Sequence, residues 1–322
     1  MSEHLPLDQA PYWVVAAYYL VPLDQPREEI DRHRKFLLTR DARSRIYIGP
    51  EGMNIQMSAK AEDAEAYMEW LRQDERFPGI EFKVQGSREQ VFPRLTIKWK
   101  QQLVAVGRPV DLNQAGPHLS SAEWRKTIEE GGEDLILLDV RNRYEWEVGH
   151  FKGAIPAPCE TFREFPEWVQ QLKQQVDPSK KKVLMCCTGG IRCEFFSALM
   201  REEGFEEVYQ LDGGMLKYSA EDGDALWEGS LFVFDDRLTV PMGPNAAPCG
   251  RCHHCEAGTE RYLNCANMDC NRLFLCCPAC LESQMGCCCE ECRASPRLRK
   301  LQKENPYKPF ARAHLDVELA RG

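Results

Sequence analysis

The chain has 322 residues, 43% hydrophobic and 28% charged, enough for two or three soluble globular domains with ordinary cores. Its formal net charge of −9 argues against a general nucleic-acid binder, although residues 293–322 carry eight Lys/Arg against three Asp/Glu, a basic tail on an acidic body. Sixteen cysteines would suit a secreted disulfide scaffold, but eleven crowd into residues 252–292 at C-x2-C spacings with no signal-peptide pattern before them, so metal or redox chemistry in a cytoplasmic protein is the expectation.

Residues 12–21, "YWVVAAYYLV", are the one apolar run that suggests a membrane, and they are too short to span it. A buried strand is expected there, followed by a helix over 27–39 and a hairpin of 45–47 and 54–57 around "GPEGMN". A second helix over 61–71 and strands at 81–84 and 96–103 complete the pattern. This β-α-β-β-α-β order implies a ferredoxin-like (acylphosphatase-like) α+β domain over residues 1–107. A Gly/Pro/Asn-rich linker, residues 107–118, separates it from an α/β unit over 118–228. There Ser120 or Ser121 caps a helix with Glu123, and apolar runs at 134–141, 181–187 and 206–211 read as parallel strands. Residues 229–322 form a cysteine-rich region with the basic tail, in which 229–240 can make a hairpin.

The stretch "CCTGGIRCE", residues 186–194, carries the chemistry. A buried strand delivers Cys187 into a loop that closes where a helix begins at Arg192. Gly189 and Gly190 let the backbone turn its N–H groups toward the thiol, and Arg192 adds positive charge; together these favour a thiolate or a persulfide. Thr188, Gly189, Gly190 and Ile191 make up the rest of the loop and are candidate substrate contacts. Cys186 faces away from Cys187 along the strand and is expected in the core. Cys193, in the first helical turn, is either a thiol that resolves an oxidised Cys187 or a small helix residue.

"DVRNRYEWEVGHFKGAIPAP" (139–158), "CTGGIR" (187–192) and "VYQLDGGMLKY" (208–218) resemble, in order, the hallmarks of a rhodanese domain. The resemblance implies that Asp139 and Arg141 brace the fold and that Cys187 is the persulfide-forming nucleophile; His150 is expected to support the fold. The related dual-specificity phosphatases have a loop one residue longer, which argues against phosphatase action. With "EGMN" (51–54), "RLTIKWKQQLVAVG" (94–107), "HLSSAEW" (118–124) and "RYLNCANMDCNRLFLCC" (261–277), nearly the whole chain resembles the rhodanese-containing tRNA uridine(34) hydroxylase family. One departure is "EGMNIQMS", which lacks a second glycine. The resemblance implies an oxygen-dependent oxidoreductase that makes 5-hydroxyuridine at the wobble position of tRNA, with Cys187, Arg192 and Cys193 in the site.

Read alone, the loop favours persulfide sulfur transfer to tRNA or a protein; the whole-chain resemblance favours uridine oxidation with molecular oxygen as co-substrate. No facial triad, flavin or nicotinamide fingerprint stands out, and the sequence names no electron donor. In the C-terminal region, Cys252, Cys255, Cys265, Cys270, Cys277, Cys280, Cys288 and Cys292 supply eight thiolates, enough for one or two structural Zn2+ ions, an Fe–S cluster being the alternative. His253 and His254 are alternates. Lys98 and Lys100, with Arg297, Arg299, Lys300, Lys303, Lys308 and Arg312 of the tail, are candidate tRNA contacts; a tail that merely aids solubility is an equal reading of the same charges.

Overall fold

The computed structural model describes residues 5–243 and 247–300. The chain divides into two units, one of residues 1–146 and 151–226, the other of 147–150 and 227–322. The first unit holds two sheets.

The N-terminal sheet begins with β1 (Tyr12–Leu20), α1 (Pro26–Leu37), β2 (Ala42–Ser44), β3 (Ile46–Gly49), β4 (Gly52–Lys60) and α2 (Ala61–Arg72), and ends with β5 (Lys83–Ser87) and β6 (Ile97–Trp99). Its strand order, β5-β1-β4-β3-β6, is the ferredoxin-like order with β6 added parallel to β3, while β2 pairs separately with β4. Val15 and Ala17 of β1 face a core with Ile46, Ile48, Ile55, Tyr67 and Leu71, so the odd residues of β1 face the helices. Its even residues face the other way, and Tyr18 and Leu20 pack against the apolar cluster of the next sheet. The β3–β4 hairpin closes although "EGMNIQMS" has one glycine: Gly49 pairs with Gly52, whose φ of 126° is the positive-φ conformation that favours glycine.

The second sheet is parallel throughout. After β7 (His118–Leu119) come α3 (Ser121–Glu130), β8 (Leu135–Asp139), α4 (Arg143–Val148), β9 (Gly149–Phe151), β10 (Ile155–Pro156) and α5 (Phe165–Gln175). Then follow β11 (Lys182–Cys186), α6 (Ile191–Glu202), β12 (Glu207–Leu211) and α7 (Gly214–Asp222), in the strand order β10-β8-β11-β12-β7. Ser120 caps α3 in a reciprocal capping box with Glu123. The central strands β8 and β11 are flanked on both sides, which explains their unbroken apolar runs. The chain therefore turns at the carboxyl end of β11, a place where α/β sheets put their sites.

In the second unit, β13 (Trp227–Phe232) and β14 (Thr239–Pro241) form the expected hairpin. The cysteine-rich part adds a small hairpin, β15 (Tyr262–Asn264) and β16 (Leu273–Leu275), and two short helices, α8 (Pro278–Ser283) and α9 (Glu290–Arg293). Among the described residues its core cluster has Leu263, Phe274 and Leu281 as large apolar members, with Leu298 packed against it, and cysteines make up most of the rest. So small a core cannot offset chain entropy unaided.

Candidate active site and cysteine clusters

β11 ends at Cys186, whose buried thiol reaches the Leu138 carbonyl at 3.7 Å and lies in the core. The next residue, Cys187, is fully buried at the start of the loop. The Gly190 amide donates to its sulfur at 3.1 Å, and the φ of 103° at Gly190 allows that inward turn. Burial pushes the Cys187 thiol up. The Cys193 thiol and amide, the Arg192 charge and the Gly190 amide outweigh burial and bring it down to about 6. Cys193 is buried as well, and burial together with its hydrogen bond to the neighbouring sulfur holds its own thiol well above the usual cysteine range.

Arg192 is engaged with side chains of the loop's surroundings. Its guanidinium forks onto Glu145 of α4, Nη1 to Oε2 at 2.6 Å and Nη2 to Oε1 at 2.9 Å, and Nη2 also reaches the Thr188 hydroxyl at 3.2 Å. Thr188 in turn donates to Glu145 at 3.1 Å, and Asn142 gives the same carboxylate its amide N–H and side-chain NH2. The Arg192 guanidinium lies 5.6 Å from the Phe162 ring centroid. A second buried pair underlies this one: Arg141 donates through Nε and Nη2 to Asp139 at 2.6–3.0 Å.

The first turn of α7 seals the loop from below. Met215 and Leu216 amides donate to the carbonyls of Cys187 and Thr188, each at 3.0 Å. A Cβ on Gly214 would lie 2.7 Å from both the Cys187 oxygen and the Gly190 nitrogen. Above the loop the two glycines differ. Nothing lies within 4 Å of a Cβ built on Gly189, whereas one on Gly190 would meet the Tyr18 hydroxyl at 2.9 Å. Tyr18, from the N-terminal sheet, donates to Glu194 at 2.8 Å. Glu194 also meets His118 Nε2 at 3.1 Å and accepts from Gln210 at 3.0 Å. Burial raises the Glu194 carboxyl, but these partners outweigh it and hold it low.

The eight C-terminal ligand candidates fall into two sets. Cys252, Cys255, Cys277 and Cys280 form one, and Cys265, Cys270, Cys288 and Cys292 the other; within each set all sulfurs lie within 4.8 Å of one another. Sulfur pairs at 3.7 Å (Cys255–Cys277, Cys270–Cys288) and 3.8 Å (Cys288–Cys292) match the edge of a tetrahedron with metal–sulfur bonds of about 2.3 Å. The donor set therefore fits one tetrahedral ion per site, and its close spacing suits a single ion better than a cluster whose cysteines bind separate irons. The sets interleave along the chain, the first pair of cysteines joining the third and the second the fourth. His253 and His254 lie outside both sets and instead meet the carbonyls of Cys288 and Cys287 at 3.1 and 3.0 Å.

Three family models match in series: "UPF0176 acylphosphatase like domain" over residues 12–103, "Rhodanese-like domain" over 120–221 and "Rhodanase C-terminal" over 228–293. The tRNA uridine(34) hydroxylase of Protochlamydia amoebophila is 49% identical over 94% of this chain and 95% of its own length. The proteins of that name from Chlamydia muridarum and Chlamydia trachomatis serovar D are 48% and 47% identical, each over 94% of this chain and 93% of theirs. The chain belongs to the tRNA uridine(34) hydroxylase family. Among solved structures, a rhodanese-like domain from Anabaena aligns with 35% of this chain and 79% of its own, at 26% identity and a TM-score of 0.29.

Not every loop residue faces outward in this family member. The Thr188 side chain turns in to Glu145, and Ile191, the first residue of α6, is buried in the core cluster. Among the loop residues expected to touch substrate, Gly189 alone is part-exposed. Lys98 and Lys100 are exposed on and just after β6, with Lys100 5.1 Å from the Tyr47 ring centroid. Arg297 pairs with Asp269, and Arg299 donates to the Cys265 carbonyl at 2.8 Å, so both serve the cysteine-rich fold. Lys303, Lys308 and Arg312 lie outside the described residues. Among the described residues no helix is long and apolar enough to cross a membrane.

Sequence reasoning missed Glu145, Glu194, Tyr18 and Gly214 as parts of the site. Glu145 had no clear signal, since "YEWEV" also carries Glu147 and the spacing does not say which of the two is buried. Tyr18 had none, since only docking of the two sheets brings it to the loop.

Proposed function

We propose that this chain is a tRNA-modifying oxidoreductase that hydroxylates C5 of the wobble uridine of tRNA, giving 5-hydroxyuridine, with molecular oxygen as co-substrate and Cys187 as the reactive group. Family membership supports the reaction. The observation that supports Cys187 is its sulfur, held by the Gly190 amide at 3.1 Å and brought down to about 6, so that a thiolate predominates at neutral pH.

Replacing a C–H by C–OH with one molecule of oxygen leaves one oxygen atom to become water, which takes two electrons and two protons. The Cys187–Cys193 pair can supply both by closing to a disulfide, Cys193 being a hydrogen-bond partner of Cys187. An external thiol then restores the dithiol. Arg192 fixes the electrostatics of the loop through Glu145 and is not itself free for substrate. Zn2+ in the two tetrathiolate sites would supply no chemistry here beyond holding the cysteine-rich region folded.

A second reading, persulfide sulfur transfer, draws on the same inward-facing amide at Cys187. Nucleoside mass spectrometry of tRNA from cells with and without the gene separates the two. Loss of 5-hydroxyuridine and its derivatives is expected; loss of thiolated nucleosides instead would establish sulfur transfer. Complementation with Cys187→Ser should restore nothing, and full restoration would remove Cys187 from the mechanism.

A further inference from the structure

The cations around Cys187 are mostly committed. Arg192 is forked onto Glu145. Lys217 is paired with Asp212 at 2.5 Å and His118 with Glu194 at 3.1 Å. Lys83 of β5 is different: it is part-buried, and among the described residues no carboxylate or carbonyl binds its ammonium. The ammonium lies 5.1 Å from the centroid of the Tyr18 ring, the ring that walls off Gly190. A short chain of contacts thus runs from Lys83 through Tyr18 and Gly190 to the Cys187 sulfur. Burial lowers the Lys83 ammonium from its ordinary range, against the charges of Glu81, Asp212 and then Cys187, which favour its charged form.

Strand register explains how Lys83 comes to stand there. Lys83 pairs with Ala16 of β1, two residues from Tyr18, so both side chains lie on the face of the sheet turned away from α1 and α2. Across that face Tyr18 pairs with Asn54, Asn54 with Tyr47 and Tyr47 with Lys98, one in-register row. Three strand spacings, roughly 14 Å, separate Lys98 from Tyr18. A lysine stands at each end of this face, polar and aromatic side chains lie between them, and Gly189 is open beside it. In an acidic chain the approach of a polyanion to a thiolate is unfavourable unless a free cation waits at that point.

We infer that Lys83 is the substrate-positioning residue of the Cys187 site, its ammonium binding a backbone phosphate of the RNA strand that carries the reacting uridine. The N-terminal domain then has a defined role: its sheet supplies the phosphate contact that the rhodanese loop lacks. This inference rests on the proposed action on tRNA, and it concerns binding only, with no bond made or broken by Lys83.

The test measures binding of the full-length protein to unmodified tRNA across a salt series, alongside 5-hydroxyuridine formation by the same preparations. Removing one phosphate contact should weaken binding about tenfold and reduce the slope of log Kd against log salt by about 1. Lys83→Met keeps the aliphatic stem on Tyr18 and should show both changes, a raised KM for tRNA and a nearly unchanged kcat; Lys83→Arg should retain the wild-type slope. An unchanged salt slope in Lys83→Met overturns the assignment. So does a fall in kcat at constant KM, which would place Lys83 on the reacting base. A general packing defect would leave the slope unaltered and lower the melting temperature, and so also counts against it. Wild-type protein that binds tRNA with this Lys83-dependent slope yet forms no 5-hydroxyuridine would sink the proposed reaction and leave the phosphate contact standing.

Discussion

Arg192 and Glu145 form a buried fork, two charge-assisted hydrogen bonds at 2.6 and 2.9 Å between groups that have almost no exposure to water. The pair fixes the start of α6 relative to α4, and with it the direction from which positive potential reaches Cys187. It also differs from a phosphate-binding loop, in which the arginine must be free to bind the substrate's oxygens.

Removing one partner of such a pair leaves a charge stranded in the core, at a cost of about 3–5 kcal/mol. Glu145→Ala should therefore lose that much in urea denaturation, and Arg192→Lys should lose activity despite keeping its charge, because an ammonium cannot fork onto a carboxylate. The double variant Arg192→Met/Glu145→Met should recover most of the stability and none of the activity. If Glu145→Ala alone were as stable as wild type, the fork would not be what organises the loop.

The Cys187 thiol gives a pH dependence with a definite sign. Its pKa in the folded protein is lowered to about 6, so the thiolate is present above that pH and is lost as pH falls through it. The difference in ultraviolet thiolate absorbance between wild type and Cys187→Ser should titrate with a midpoint near 6, and hydroxylation should fall over the same window. Cys193→Ala removes one donor to the sulfur and should move the midpoint upward. A midpoint at the ordinary cysteine value, or one that Cys193→Ala leaves in place, would contradict the assigned hydrogen bonding.

Much of this architecture is written in local pattern. Alternating periods of two and 3.6 announce the N-terminal domain, and unbroken apolar runs announce β8 and β11. A run of two glycines just before a helix announces the loop that follows β11. Local pattern is weaker where a partner decides the outcome. β5 starts at Lys83 and runs to Ser87, later than its own sequence suggests, because pairing with β1 sets the register. Glycines in "LDGG" look like an ordinary turn, yet Gly214 must be small because the Cys187 loop presses on it. Tyr18 and Glu194 are 176 residues apart, and no window along the chain can reveal that they touch. The cysteine spacing likewise supplies the eight candidate ligands but not their grouping, since adjacent C-x2-C steps could share one ion as easily as alternate ones.

That grouping makes a prediction of its own. Because the first pair joins the third and the second the fourth, the strands of the β15–β16 hairpin each lie between ligands of different sites, and neither site can come apart without loosening the other. With so few large apolar residues, the region's folding free energy should come largely from metal binding, of order 10 kcal/mol per structural zinc site. Freshly purified protein should contain two Zn2+ per chain by elemental analysis. Chelation under reducing conditions should release both in one cooperative step, with loss of the circular dichroism and protease resistance of residues 247–300. Cys265→Ser should remove more than one equivalent, since the remaining site loses its brace. Independent stepwise release of the two ions, or a single-ligand variant that keeps one ion at full affinity, would show that the interleaving does not couple them.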